Sequence, residues 1–154
     1  AAAETAAGTS IRLEESAGTA EITNNTGKAQ SVKNDMRLYS GYTVMTGAGD
    51  SSAYISLDGT KAVRLDSSSK IEVKKSGKQL ELYVHYGTLV FNVTQPLAAN
   101  ETLNIRTGTM MTGVRGSSGW VMPGQEGLVH GHVDVTCFNP ATGASATTPI
   151  TVPS

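Results

Sequence analysis

The feature that most constrains this chain is a two-residue alternation of apolar and polar side chains between residues 44 and 73. In the run AYISL, which begins at residue 53, every second residue is apolar. Side chains of a strand point alternately to its two faces, so this pattern predicts a strand buried on one face. Asp58 and Gly59 follow, a pair that favours a tight hairpin because type I′ turns need positive φ at both central positions. The stretch therefore predicts short antiparallel strands that are wet on one side.

The same alternation continues through most of the 154 residues, and no helical period is found after the first few. The longest apolar sets lie in residues 80–86 and 89–93, which we expect to form paired strands in the middle of the core. The sequence thus predicts an all-β fold with little or no helix. We expect an antiparallel meander that forms a β-sandwich or a β-roll, solenoid-like in character, within a single domain.

Three segments follow from this pattern. Residues 1–9 are small and Ala-rich, typical of a linker or a frayed N-terminus. Residues 10–138 form the predicted β domain, and residues 139–154 a terminal hairpin or edge strand that leads into a truncated C-terminal region. The chain starts without Met and contains no apolar run of membrane length, so we expect it to be part of a longer, anchored protein.

Composition argues against binding through bulk charge, because 12 basic residues face 13 acidic ones. We therefore expect neither nucleic-acid binding nor direct membrane contact by this segment. The local excess at Lys70, Lys74, Lys75 and Lys78 reads as a solvated strand face and turn. The single cysteine, Cys137, alternates with buried-type valines, so we expect it to lie on the apolar face as a small hydrophobe.

One group of residues offers metal ligands. His130, His132 and Asp134 share a face of one predicted strand, and imidazoles two residues apart can bind the same ion. That face is the wet one, however, and exposed polar alternation is the default on a half-buried strand. We expect no metal site and no cofactor; a metal-dependent enzyme built on these histidines is the least favoured alternative.

Catalytic motifs find no better support. The glycines at residues 47 and 49 are followed by a strand, whereas a phosphate-binding loop needs a helix N-terminus after it. Residues 116–119 (GSSG) are not the G-x-S-x-G elbow of serine hydrolases. No carboxylate pair stands out in an apolar setting, as acid–base catalysis would require. We predict a chain that is not an enzyme and has no catalytic residues.

Surface aromatics are the candidate binding residues. Tyr83 and His85 lie on the wet face of a central predicted strand, and Tyr54 lies on the wet side of another. Tyrosines on an exposed sheet are typical of protein or glycan contacts, although scattered exposed tyrosines are also ordinary.

Several short motifs occur in a fixed order. The run T-G-x-x-x-S begins at Thr46, D-G-T begins at Asp58, and a strand ending in Thr107 precedes V-R-G-S at residues 114–117. This order resembles the FecR domain, in which the last motif is usually V-R-G-T. The resemblance runs from about residue 18 to 135 and marks the following residues as family-motif, structural positions: Thr46, Gly47, Asp58, Gly59, Thr107, Val114, Arg115, Gly116 and Ser117. We expect Arg115 to be partly buried, paired with backbone carbonyls or with Asp58 or Asp66, and to be a fold determinant.

The resemblance implies a function. FecR domains are extracytoplasmic β modules of membrane-anchored bacterial signalling and envelope proteins. It therefore implies a non-catalytic module, periplasmic or cell-surface exposed, that senses or transmits an envelope signal through contact with another protein. The alternative is a structural or adhesive β-domain of a surface protein that contacts carbohydrate or protein. The sequence does not indicate the oligomeric state.

Overall fold

The fold is given by a computed structural model. It describes residues 11–58, 60–95, 97, 99–123, 125–138, 141, 142 and 144–152. For residues 125, 126, 128–130, 132, 138 and 152, it describes the backbone alone. The predicted linker at residues 1–9 therefore lies outside the described residues.

The described residues form strands and turns and contain no helix, which confirms the all-β prediction. Accordingly, this part of the chain has no helix long and apolar enough to span a membrane. The strands are β1 (Ile11–Ala17), β2 (Ala20–Thr23), β3 (Ala29–Gln30), β4 (Met36–Leu38), β5 (Thr43–Thr46), β6 (Ser52–Asp58), β7 (Lys61–Leu65), β8 (Lys70–Ser76), β9 (Gln79–Tyr86), β10 (Leu89–Val93), β11 (Thr102–Arg106), β12 (Met110–Met122), β13 (Gln125–Phe138) and β14 (Ser145–Val152).

All of these strands belong to one curled sheet. Twelve of them follow the order β3-β2-β5-β8-β9-β11-β12-β10-β7-β6-β1-β4, and β13 and β14 branch from β12. Hairpin neighbours pair at β6–β7, β8–β9 and β11–β12, as a meander requires. The sheet is nevertheless mixed, because β9 and β11 run parallel.

The predicted pairing of β9 with β10 is wrong, although both strands do lie near the middle of the sheet. β10 pairs with β7 and β12 instead. Gly87, between the two strands, has φ of +84°, and a Cβ there would collide with Ser69. Glycine therefore lets the chain turn away from β9 against the β7–β8 connection, where the Thr88 N–H donates to Ser69 Oγ at 2.9 Å.

The curl of the sheet brings the inner faces of its strands around one core. Phe91 of β10 is 1% exposed, and it is the largest of the fully buried side chains. The inner positions of β6, β8, β9 and β11 contribute aliphatic residues to the same cluster. The core is thus built on the alternation that the sequence shows, with aliphatic side chains inside and polar ones outside.

The last two strands extend past this core. β13 pairs with β12 along its length, and its later part also pairs with β14. Val133 and Val135 are buried, but Cys137, next on the same face, is exposed. The predicted burial of Cys137 is wrong because alternation fixes which face a side chain takes and not whether other residues cover that face.

Candidate functional site

Two of the predicted binding residues meet on the outer face of the central strands. Leu82 and Val84 of β9 pack inward, so Tyr83 and His85 point outward. Their rings lie 4.6 Å apart between centroids, tilted by 38°. The short spacing along one strand therefore builds an aromatic pair that a partner can reach.

Charged residues of β8 frame this pair. The Lys74 Nζ atom lies 5.6 Å from the centroid of the Tyr83 ring, within cation–π range. The Glu72 Oε1 atom lies 3.2 Å from His85 Nε2. Glu72, Lys74, Tyr83 and His85 together are called the outer platform. It presents one acid, one base and two rings on adjacent strands of the sheet.

A groove adjoins the outer platform. It has a volume of about 410 Å³ and shares Lys74 with the platform. Glu81 and Asn104, from β9 and β11, line it as well, so it runs across the paired central strands. The sheet therefore carries a recess that adjoins the outer platform at Lys74.

Tyr54 lies elsewhere. It stands on β6, where it is 41% exposed and paired with Arg64 of β7. A hydrogen bond to Asp66 is the main cause that raises the pKa of the Arg64 guanidinium, and Tyr54 adds a further hydrogen bond. The structure thus brings Tyr83 and His85 together and leaves Tyr54 apart, on a strand five places away in the sheet order.

Thr46 and Gly47, at the end of β5, form hydrogen bonds to two turns, the one between β7 and β8 and the one between β1 and β2. The Thr46 side chain accepts a hydrogen bond from the Ser69 N–H at 3.0 Å and donates to the Asp66 carbonyl. The Gly47 N–H donates to the Thr19 carbonyl at 2.9 Å. Thr46 is 6% exposed, so its hydroxyl is a buried link between the end of β5 and the β7–β8 turn.

Asp58 contacts a buried lysine. Lys61 is 8% exposed, and its Nζ atom lies 2.6 Å from Asp58 Oδ2 and 3.4 Å from Glu101 Oε2. Burial alone raises the pKa of the Asp58 carboxyl, but hydrogen bonds from Lys61 and Thr60 outweigh it and hold that pKa below its ordinary value. Gly59, the other half of the predicted turn, lies outside the described residues.

The sequence did not single out Lys61, although a signal was present. Lys61 precedes Val63 and Leu65 at the same two-residue spacing, so it occupies an inward position of β7. Burial lowers the pKa of its ammonium, but the hydrogen bonds and charges of Asp58 and Glu101 outweigh that effect and hold the pKa above its ordinary value. A buried charge persists when it is paired, and here both partners are carboxylates.

The remaining motif residues lie on β12 and at the turn before it. Thr107 is buried, and its hydroxyl oxygen accepts a hydrogen bond from the Met110 N–H at 3.1 Å, which closes the turn between β11 and β12. Val114 is buried in the core. Thr107 thus fixes the start of β12 through a hydrogen bond, and Val114 fixes the strand through its packing in the core.

Arg115 is not buried. Its side chain is 68% exposed, and its Nη2 atom lies 3.6 Å from Asp134 Oδ2 on β13. The prediction of partial burial beside Asp58 or Asp66 is wrong, because Arg115 follows the inward-facing Val114 and so takes the outer face. An exposed ion pair contributes little to stability.

Gly116 and Ser117 form an irregularity between β12 and β13. The pairing shifts between Val114 and Ser117, and Gly116 and Gly131 have φ of +143° and +99°. A Cβ on Gly131 would lie 2.3 Å from the Gly116 carbonyl, so the two backbones approach as closely as glycines allow. Ser117 is fully buried, and its hydroxyl has no hydrogen-bond partner among the described residues.

The histidines considered as metal ligands lie on β13. The backbones of His130 and His132 pair with Ser118 and Thr151, but their side chains lie outside the described residues. Asp134 is within reach of Arg115. Among the side chains that the structure does describe, no group of three His, Cys, Asp or Glu residues is placed to hold a metal ion.

Comparison with known families adds a sequence match to this geometry. The profile of the family described as FecR protein matches residues 42–139, which is well over half of the chain. The chain belongs to the FecR family. In this FecR chain the match includes the outer platform, Thr46 and the β12–β13 irregularity, and it ends before β14. No curated protein matches the sequence.

A solved structure shows a similar fold. A protein of Parabacteroides distasonis described as a candidate anti-sigma factor aligns with a TM-score of 0.52 at 16% identity. The alignment covers 69% of the FecR chain and 58% of that protein. A second structure from the same organism, described in the same words, aligns with a TM-score of 0.36 at 13% identity, over 90% of this chain and 57% of the other. The FecR chain thus spans less than two thirds of both proteins.

Proposed function

We propose that this FecR-family chain is a non-catalytic, extracytoplasmic module of a membrane-anchored bacterial protein that transmits an envelope signal by contact with another protein. Membership of the family supports a regulatory module in signal transduction. A sigma-factor pathway is the route that we propose, since the neighbour with a TM-score of 0.52 is described as a candidate anti-sigma factor.

The observation that carries the contact is the outer platform. Tyrosine supplies a large contact area with few rotatable bonds, and such residues are enriched where proteins bind one another. The platform stands on β8 and β9, whose inner faces are packed into the core, so little order is lost when a partner binds. The groove, which shares Lys74 with the platform, gives a partner side chain a place next to this contact.

The mixed charge of the platform suits a partner with both signs of charge. Lys74 offers a donor and Glu72 an acceptor, and both stand beside an aromatic ring. Electrostatic complementarity of this kind contributes to the choice of partner and to the rate of association.

The test is a signalling assay with the full-length protein in its natural host. Tyr83→Ala combined with His85→Ala is expected to change the output of a sigma-factor-dependent reporter by about tenfold, the effect of losing a contact hot spot. Tyr54→Ala is the matched control, because Tyr54 is an exposed tyrosine on the outer face of a different part of the sheet.

Both variants are expected to melt close to the wild-type temperature, since the side chains that they remove point outward. Equal reporter output from the platform variant, the control and the wild type would contradict the signalling contact. That result would instead favour the structural or adhesive role.

A further inference from the structure

The connection between β4 and β5 presents an exposed tyrosine in a fixed position. Tyr39 is 53% exposed, the highest value among the large hydrophobic side chains of the described residues. Its ring meets that of Tyr42 edge to face, with 5.5 Å between the centroids. The Tyr42 N–H donates to the Tyr39 carbonyl at 3.0 Å, and the Gly41 N–H donates to the Val73 carbonyl at 2.6 Å. These hydrogen bonds fix the connection to β8 and hold the exposed ring in place.

Positive charge surrounds this ring. The guanidinium carbon of Arg37 lies 5.9 Å from the centroid of the Tyr39 ring. Arg37 stands directly opposite Arg12 in the pairing of β4 with β1. Like charges in directly opposite positions repel each other. An anion bound beside the two arginines would reduce that repulsion, so this corner of the sheet favours a negatively charged ligand.

A recess opens beside the ring. It has a volume of about 280 Å³ and is called the Tyr39 recess; the described residues that line it include Arg37, Tyr39, Ser40 and Lys75 but no carboxylate. The Ser40 hydroxyl accepts a hydrogen bond from the Lys75 N–H at 2.9 Å, so its own proton can be donated to a ligand. The Lys75 ammonium has three donors, of which one binds the Gly77 carbonyl at 2.7 Å. The recess thus joins an aromatic ring to two cations and a hydroxyl.

The groove that adjoins the outer platform also meets the Tyr39 recess, because Ser40 and Lys75 line both. Its acid, Glu81, stands opposite Lys74 in the β8–β9 pair. The groove also contains neutral polar side chains, which can donate and accept hydrogen bonds as sugar hydroxyls do: Ser76, Gln79, Thr102 and Asn104. An extended ligand that starts in the recess therefore meets mainly neutral hydrogen-bonding groups beyond it.

We propose that the Tyr39 recess binds a carboxylated sugar unit of an acidic polysaccharide. One face of the sugar ring packs against Tyr39, and the carboxylate accepts hydrogen bonds from Arg37 and Lys75. The next sugar unit places its hydroxyls in the groove. A volume of about 280 Å³ is small for a ligand site and suits one sugar unit at a time.

A polysaccharide fits this surface better than a nucleic acid does. A nucleic acid would bring a phosphate into the groove with every unit, where it would meet Glu81 and neutral side chains. The proposal does not rest on the proposed signalling contact, since Arg37 and Tyr39 lie outside the outer platform.

The experiment is isothermal titration calorimetry of the chain with tetrasaccharides prepared from polygalacturonate, polymannuronate and hyaluronate. We expect at least one of them to bind with Kd of roughly 0.1–1 mM, as a small exposed site allows. The methyl ester of that tetrasaccharide is expected to bind at least about tenfold more weakly, because esterification removes the charge that Arg37 and Lys75 recognise.

Two variants and two matched controls locate the site. Tyr39→Ala and Arg37→Gln are each expected to raise Kd at least about tenfold. Tyr86→Ala and Arg115→Gln should leave Kd unchanged, since they alter a 45% exposed tyrosine and a 68% exposed arginine side chain elsewhere on the sheet.

Several results would overturn the proposal. They are no binding of any acidic tetrasaccharide at about 1 mM, equal binding of the methyl ester, or wild-type affinity in both site variants. Equal affinity for tetraglutamate or for a single-stranded oligonucleotide would also overturn it, because the site would then recognise charge without a carboxylated sugar.

Discussion

Ser117 is a buried polar residue whose hydroxyl meets no hydrogen-bond partner among the described residues. An unsatisfied buried hydroxyl costs about 1–3 kcal/mol. Ser117→Ala removes that cost and leaves a cavity no larger than one oxygen atom. We expect the free energy of unfolding to stay within about 0.5 kcal/mol of the wild type or to rise by about 1 kcal/mol, as measured by urea denaturation. A loss above about 1 kcal/mol would mean that the hydroxyl is hydrogen-bonded in solution.

Arg115 gives a second prediction at this scale. Its guanidinium is mostly exposed and 3.6 Å from Asp134. Arg115→Ala is therefore expected to lower the free energy of unfolding by less than about 0.5 kcal/mol. Thermal melting measures this, with Val114→Ala as the control, since it creates a cavity in the core and should cost about 1–3 kcal/mol. A loss of unfolding free energy of similar size from Arg115→Ala would show that Arg115 is a fold determinant after all.

At the scale of elements, Thr46 holds the end of β5 to the turn between β7 and β8. Thr46→Val keeps the shape of the side chain but removes the acceptor of the Ser69 N–H, which is buried. We expect a loss of about 1–3 kcal/mol in urea denaturation. Thr109→Val, in an exposed turn, should change stability by no more than about 0.5 kcal/mol. Equal stability of the two variants would show that the buried link does not matter.

The strands also show which features of the fold could be predicted from the sequence. Alternation in residues 53–57 and 80–84 correctly predicted strands and their buried sides, because that information is local. It gave no sign that β9 would pair in parallel with β11 or that β10 would cross to β7, since pairing depends on contacts between distant segments. The exposed Cys137 differs from expectation for a related reason: whether a face is covered depends on the whole sheet.

The candidate site also has a part that local spacing predicts and a part that depends on strand pairing. The spacing of Tyr83 and His85 predicted a shared outer face, which the structure shows. Lys74 and Glu72 belong to the neighbouring strand β8, so only the register of the sheet places them beside the rings.

At the scale of the whole molecule, the Lys61 ion pair links stability to pH. The pKa of Asp58 is lower in the folded chain than its ordinary value, so its charge stabilises the fold above about pH 4 and loses that effect as the pH falls through the folded pKa. Asp58→Asn should be less stable than the wild type near neutral pH, by about 1–2 kcal/mol.

That difference should shrink as the pH is lowered below about 4, because a protonated Asp58 resembles asparagine. Urea denaturation of both proteins between about pH 7 and pH 3 measures it. A difference that does not change with pH would contradict the charged role of Asp58.

We propose that this FecR-family sheet works by protein contact at its outer platform. The most direct measurement is photo-crosslinking in the natural host, with a light-activated amino acid at position 85 of the full-length protein and, as the control, at position 54. We predict a discrete crosslinked product with another polypeptide from position 85, whose yield changes with the envelope signal, and no such product from position 54. No product from position 85, or the same signal-independent product from both positions, would contradict the claim.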